Sequence, residues 1–265
     1  MSAFARASAV RRVDATTYEA DLDLGWSIGG RPNGGYLMAV LARAGLDATG
    51  RAHPLAVSGH FLRPPSGGPG EVRVEVMKSG RTVSTVRTSL WQNDSSCLDL
   101  VMTAGDLPEV DPEYASTPMP VLPSPESCQA RADTPFRVEL MDHVDVRLDP
   151  ATIPPFDGSS NGEPVIRGWM AFHDGTPIDV LSLLLAVDIA PPTVFRLGLL
   201  GWAPTVSLSC LLRGVPSPGW LAFEARATVV RGGWFDEEAT VWDSSGRVVA
   251  QSRQLALVGR PPAGG

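Results

Sequence analysis

The sequence predicts an α+β protein made of two like domains fused in one chain, each pairing one apolar helix with an antiparallel sheet. Three observations carry that expectation. A short pattern recurs: Phe61-Leu62-Arg63-Pro64 precedes Trp91-Gln92-Asn93-Asp94, and Leu211-Leu212-Arg213 precedes Trp242-Asp243-Ser244-Ser245. Arg63 and Arg213 stand 150 residues apart and the two tryptophans 151 apart. Each copy also holds one strongly apolar helical stretch followed by a run of strands, and 265 residues suffice for two domains that each bury a core. A period near 150 residues is too long for a solenoid. It fits two domains packed as a pseudo-dimer, with any site lying between them.

The first copy opens on Tyr18, Ala20, Leu22, Leu24, Trp26 and Ile28, which alternate with Glu19, Asp21, Asp23, Gly25 and Ser27. That period of two marks a strand with one buried face. Val144, Val146 and Leu148, alternating with Asp145, Arg147 and Asp149, open the second copy in the same style. After Pro32-Asn33-Gly34-Gly35 a helix is expected over 36–48, capped by Asn33, with the glycines leaving first-turn amides uncovered. Its counterpart is expected over 180–190. Thr176-Pro177-Ile178-Asp179 reads as its capping box and Pro191-Pro192 as its stop. That helix is apolar nearly all round, as one wrapped on every side should be.

Strands are expected near 55–63, 71–78, 83–91 and 97–104, and again near 204–213, 220–230, 234–243 and 247–258. Asn93-Asp94-Ser95-Ser96 and Asp243-Ser244-Ser245-Gly246 supply matching hairpin turns. The proline-rich stretch between the copies reads as a linker with little regular structure. The expected division is an N-terminal domain over 1–105, a linker over 106–137 and a C-terminal domain over 138–265.

Composition narrows the partners. Hydrophobic residues make up 43% and charged residues 19%, an ordinary globular balance. The net charge of −7, without a basic block, argues against nucleic acid. The start of the chain lacks the apolar stretch of a signal peptide, and no run of 18 apolar residues suggests a membrane span. Cys97, Cys128 and Cys210 lack paired or metal-like spacing and fit reduced thiols. A cytoplasmic setting is expected, with no metal and no cofactor. A homodimer or higher homo-oligomer stays open.

One helix against a long antiparallel sheet, made twice, suggests two fused hot-dog domains. Trp26-Ser27-Ile28-Gly29-Gly30-Arg31-Pro32-Asn33-Gly34-Gly35-Tyr36, followed by His60-Phe61-Leu62-Arg63-Pro64, resembles the first domain of acyl-CoA thioesterase II-like proteins. The helix bearing Asp188, the strand bearing Ser207, and Gln254 resemble the second, so the resemblance spans nearly the whole chain except linker and ends. It implies hydrolysis of an acyl-CoA or acyl-carrier thioester, and a place in lipid metabolism.

Asp188 is the only ionisable residue in the expected 180–190 helix. A buried carboxylate needs a partner, a proton or a task, and the end of a helix should raise its basicity. It suits a general base that activates water; the bland alternative is a solvated residue before Pro191. Thr205, Ser207 and Ser209 fall on one strand face, with Val206, Leu208 and Cys210 on the other. The resemblance places Ser207 at the family's threonine, although a shift of two would choose Thr205 or Ser209; the family's downstream Asp-His pair is Ser209-Cys210 here. Gln254 shares a face with Ala250, Ser252, Ala256 and Val258, and the resemblance makes it the third member of the water-holding set.

Asn33, Gly34 and Gly35 could hold the thioester oxyanion through amides at a helix N-terminus, or could simply make a tight turn. His60 and His173-Asp174 read as structural. No GxSxG elbow marks a serine hydrolase. No Asp/Asn–His pair sits on a glycine-flanked helix start, as a CoA-dependent hydratase would have it. The first copy carries Arg43 near the place of Asp188, with Asp47 close by, so one site per chain is expected. The rival expectation is a non-catalytic acyl-CoA-binding or scaffold protein.

Overall fold

The computed structural model describes residues 2–108, 110–131 and 138–259. Its first half runs α1 (Ala3–Ala7), β1 (Val10–Arg12), β2 (Thr17–Leu22), β3 (Ser27–Ile28), β4 (Arg31–Pro32), α2 (Gly34–Thr49), β5 (His53–Phe61), β6 (Gly68–Ser79), β7 (Ser84–Gln92) and β8 (Ser95–Gly105). The second runs β9 (Gln129–Ala130), β10 (Val144–Leu148), β11 (Val165–Phe172), α3 (Ser182–Ala186), β12 (Thr205–Leu212), β13 (Leu221–Arg226), β14 (Val230–Arg231), β15 (Trp234–Trp242) and β16 (Val248–Leu257). Each of the eight strand runs expected after the helices is present, but the strand expected over Tyr18–Ile28 breaks: β2 ends at Leu22, and Leu24–Trp26 form a 3-10 turn before the two-residue β3.

One antiparallel sheet takes strands from both halves in the order β1-β2-β6-β7-β8-β5-β12-β16-β15-β13-β11-β10-β9, with β14 at the side of β15. Outward from the β5–β12 junction, each half gives the strand after its helix, then the last, third and second strands, then the hairpin preceding the helix. At the junction Ser58 pairs with Ser209, and their hydroxyls lie 2.9 Å apart. Those residues are 151 apart in sequence, the interval that separates the two tryptophans. By position, the strand answering to β2 is β11, and β10 answers to β1. The expectation that 144–149 matched the Tyr18 strand is therefore corrected. Both β10 and β11 alternate buried and part-buried residues, so periodicity alone could not choose between them.

The two helices differ in length. Asn33 caps α2 by accepting from Tyr36 N at 3.0 Å, and Gly50 closes it in the left-handed region at φ 63°. Its residues from Gly35 to Ala42 are all buried, against β5 to β8 on one side and α3 on the other. The second helix is five residues rather than the expected eleven. The carboxylate of Asp179 accepts from Ser182 N at 2.8 Å and Ser182 Oγ at 2.5 Å, so Asp179 itself caps the start. Thr176 N instead donates to Asp174, and the expected capping box does not form. Beyond Ala186 the chain tightens, with Asp188 N reaching Leu185 O at 3.1 Å.

The linker lies along the second half of the sheet. Trp242 Nε1 donates to Thr117 O at 3.1 Å and Trp169 Nε1 to Pro123 O at 2.9 Å. Its described part adds the short strand β9 to the edge of β10. Residue 109 and residues 132–137, which the linker expectation includes, lie outside the described residues. Cys97, Cys128 and Cys210 are free and buried. Among the described residues, no helix is long and apolar enough to cross a membrane.

Candidate active site

The site forms where the start of α2 meets the end of α3. Gly34 and Gly35 lie there because the two helices approach closely. A Cβ on Gly35 would fall 2.2 Å from Leu184 O, and one on Gly34 would come within 3.0 Å of Asp188 Oδ2 and the Phe61 ring. Neither glycine has a positive φ, so proximity rather than backbone conformation demands them. That proximity brings Asp188 onto the first turn of α2. Its Oδ2 accepts from Gly35 N at 2.9 Å and from Asn33 Nδ2 at 2.9 Å, and Asn33 Nδ2 also reaches Asp188 O at 3.2 Å.

Burial pushes the Asp188 carboxyl up to about 6, against the opposing pull of the Gly35 amide, the Asn33 side chain and the Gly34 amide. The expected cause was the negative end of its own helix. Asp188 instead follows a five-residue helix and sits at the positive end of α2, so desolvation raises its basicity while the α2 dipole lowers it. The donors of Asn33 and Gly35, expected to face a thioester carbonyl, are engaged by this carboxylate.

Opposite Asp188 lies a polar cluster on β12, β15 and β16. Thr205 Oγ1 donates to Gln254 Oε1 at 2.8 Å, and Gln254 Nε2 donates to Glu237 Oε1 at 2.9 Å. Glu237 Oε2 accepts from Thr193 N at 2.8 Å and from Thr193 Oγ1 at 2.7 Å. Asp188, Thr205, Glu237 and Gln254 line one cavity of about 390 Å³, walled by apolar side chains including Leu37, Phe61, Phe195 and Phe235. Arg31 and Arg63, both exposed, also line it, and the Arg31 guanidinium stands 4.5 Å from the Trp202 ring centre.

The structure brings Asp188, Gln254, Asn33 and Gly34 to this cavity but not Ser207, and Thr205 takes its place. A bulge between Thr205 and Ser207 breaks the alternation the sequence reading assumed: Thr205 pairs with Ala256, whereas Ser207 pairs with Leu255. Ala256 is fully buried and Leu255 is 42% exposed, so the bulge puts Thr205 on the inner face and Ser207 on the outer one. Leu208, Cys210 and Leu212 form the core face, and the hydroxyl of Ser209 is exposed.

Glu237 and Thr193 were not expected. The signal for Glu237 was in the sequence, since Phe235, Glu237, Ala239 and Val241 alternate on the buried face of β15, an acid in an apolar row. His60 and His173 are exposed and lie outside the cavity. Arg43 donates to Ser8 O at 3.1 Å and Ser8 Oγ at 2.9 Å, while Asp47 accepts from Tyr18 Oη at 2.7 Å. The first copy thus holds no counterpart of the Asp188 arrangement at these positions.

Comparison with known proteins agrees with this architecture. Residues 22–105 match the model of the acyl-CoA thioesterase N-terminal domain, and residues 125–258 that of the acyl-CoA thioesterase C-terminal domain. The crystal structure of a candidate thioesterase II from Thermobifida fusca YX is 39% identical, with a TM-score of 0.89 over 98% of each chain. An uncharacterized protein of Mycobacterium tuberculosis is 32% identical over 96% of this chain and 98% of its own. A conserved protein of unknown function with a hot dog fold, from Alicyclobacillus acidocaldarius, is 21% identical but superposes with a TM-score of 0.86 over 98% of this chain and 99% of its own, which speaks for the fold alone. With both domain models matched in order along the chain, the protein belongs to the acyl-CoA thioesterase family.

Proposed function

We propose that the protein hydrolyses an acyl-CoA or acyl-carrier thioester by direct attack of water, in a site shared by two fused hot-dog units, with domains at 1–105 and 138–265 joined by the 106–137 linker. The observation that carries this reading is the Asp188 carboxylate, held at the head of α2 inside an apolar cavity and pushed up to about 6. A base near that value is ionised at neutral pH yet strong enough to take a proton from attacking water.

Asp188 receives one water proton as the water oxygen bonds to the thioester carbon. Thr205 donates its own proton to Gln254, which leaves hydroxyl lone pairs to accept the water's second O–H. The carbonyl oxygen, negative in the tetrahedral intermediate, lies toward the positive end of α2. Collapse breaks the C–S bond, and the proton on Asp188 passes to the departing thiolate, giving an acid and a thiol. No acyl-enzyme forms. Arg31 and Arg63 at the cavity suit the phosphates of CoA or of a phosphopantetheine carrier. A cytoplasmic enzyme acting on such substrates is the setting that fits.

Asp188 Oδ2 and the first-turn donors already satisfy each other, and this favours a second reading: a clamp between the halves of a non-catalytic acyl-binding protein. Thiol release measured across short, medium and long acyl-CoAs separates the two. Hydrolysis that vanishes in Asp188→Asn supports the enzyme. Acyl-CoA binding without any hydrolysis would overturn it in favour of the clamp.

A further inference from the structure

We propose that Glu237 is a positioning residue for this hydrolysis: its buried carboxylate fixes the orientation of the Gln254 amide and thereby makes the Thr205 hydroxyl an acceptor for the attacking water. The inference rests on the hydrolase reading and deepens it.

Glu237 is 7% exposed and receives three donors: the amide and hydroxyl of Thr193 on one oxygen and Gln254 Nε2 on the other. An ionised carboxylate only accepts, so Gln254 must turn its nitrogen toward Glu237 and its oxygen toward Thr205. The Thr205 proton is then committed to Gln254 Oε1, at 2.8 Å, and only lone pairs face the cavity. A water between Thr205 and Asp188 can donate to both and keep its own lone pairs for the thioester carbon. Protonated Glu237 reverses the chain. Its O–H can donate to Gln254 Oε1, the amide turns over, and Thr205 is free to donate into the water and tie up a nucleophilic lone pair. The residue reaches the reaction through two side chains, so it positions rather than reacts.

The charged groups around it are few. Asp188, Arg31, Arg63 and Arg131 line the same cavity, while Asp236 and Glu238, which flank Glu237 on β15, pair with Arg253 of β16. Burial pushes Glu237 up to about 7; the Thr193 donors and Gln254 work against it, and the charge of Asp188 adds to it. Full activity therefore needs two carboxylates ionised. The acidic limb of log kcat against pH should be steeper than the slope of one that Asp188 alone gives, which a purely structural Glu237 would not produce.

The experiment compares pH profiles of kcat and KM for the wild type, Asp188→Asn and Glu237→Gln on one acyl-CoA that the wild type cleaves. Glu237→Gln should lower kcat by about ten-fold or more with KM within about three-fold, and the acidic limb should fall to a slope of one. Thr193→Val, which keeps the carboxylate and removes one donor, should move the limb to higher pH. It keeps the proposal testable if Glu237→Gln does not fold. An active wild type, an inactive Asp188→Asn and a Glu237→Gln variant with kcat within two-fold and an unchanged slope would overturn the positioning role alone. A wild type that cleaves no acyl thioester would instead remove the hydrolase reading beneath it.

Discussion

The N-termini of α2 and α3 occupy matching places in the two halves and are finished in opposite ways. The first turn of α2 is capped by Asn33 and opened by Gly34 and Gly35, so a carboxylate from the other half, Asp188, docks onto its amides. The first turn of α3 is closed by its own Asp179, and the residue that the first half sends toward it is the cation Arg43. Burial pushes the Arg43 guanidinium down, and the charge of Asp179 pulls it partly back. An open helix end with an incoming acid is a place for a base in a cavity. A self-capped end with a cation nearby is a joint. One architecture thus gives one candidate site among the described residues and one self-capped helix end.

The largest test of this asymmetry is Asp188→Asn, which should reduce turnover by about 10²- to 10⁴-fold, the usual contribution of a general base. The same substitution should raise stability at pH 7.5. Asp188 titrates near 6 in the folded chain, above the value of about 3.9 for an unfolded aspartate, so its charge disfavours folding above that range. At pH 4 the folded group is protonated and an unfolded aspartate is about half protonated, so most of the gain should be gone. Melting curves at pH 7.5 and pH 4 check both signs, and equal melting temperatures at pH 7.5 would contradict the burial argument.

Next in size, Thr205→Ala should lower kcat by about 10- to 1000-fold, whereas Ser207→Ala should stay within about two-fold. The reverse order would show that the bulge in β12 does not set the working face. Gly35→Ala places a methyl group against the Leu184 carbonyl and should cost about 1–3 kcal/mol in chemical denaturation. The matching change at the other joint, Asp179→Ala, should cost only about 1 kcal/mol, because it removes a local cap. If Asp179→Ala proved as costly as Gly35→Ala, the two helix ends would not differ as described.

Much of this was legible in the sequence, for identifiable reasons. The Asn33 cap, the apolar length of α2 and the eight long strands follow from local chemistry and from period two. Asp188 stood out because one acid in an apolar run is costly without a partner. Ser207 was preferred to Thr205 because a single extra residue at a bulge flips every side chain before it, and nothing in Thr205-Val206-Ser207 announces one. The length of α3 was overestimated because apolar residues beyond Ala186 are as buried in turns as in a helix. Glu237 was available to the same alternation argument that found the strands, but only if that argument had been applied to β15 for its exception.

The hydroxyls of Ser58 and Ser209 meet across the line where the halves exchange. In an assembly of two separate chains, such a contact would face a copy of itself and would come apart on dilution. Here one polypeptide carries both sides, so the local concentration of β12 around β5 is set by the tether and not by the amount of protein present. Identity between the two sides is then no longer required. A change such as an arginine opposite an aspartate can settle in one half alone, without being imposed on the other.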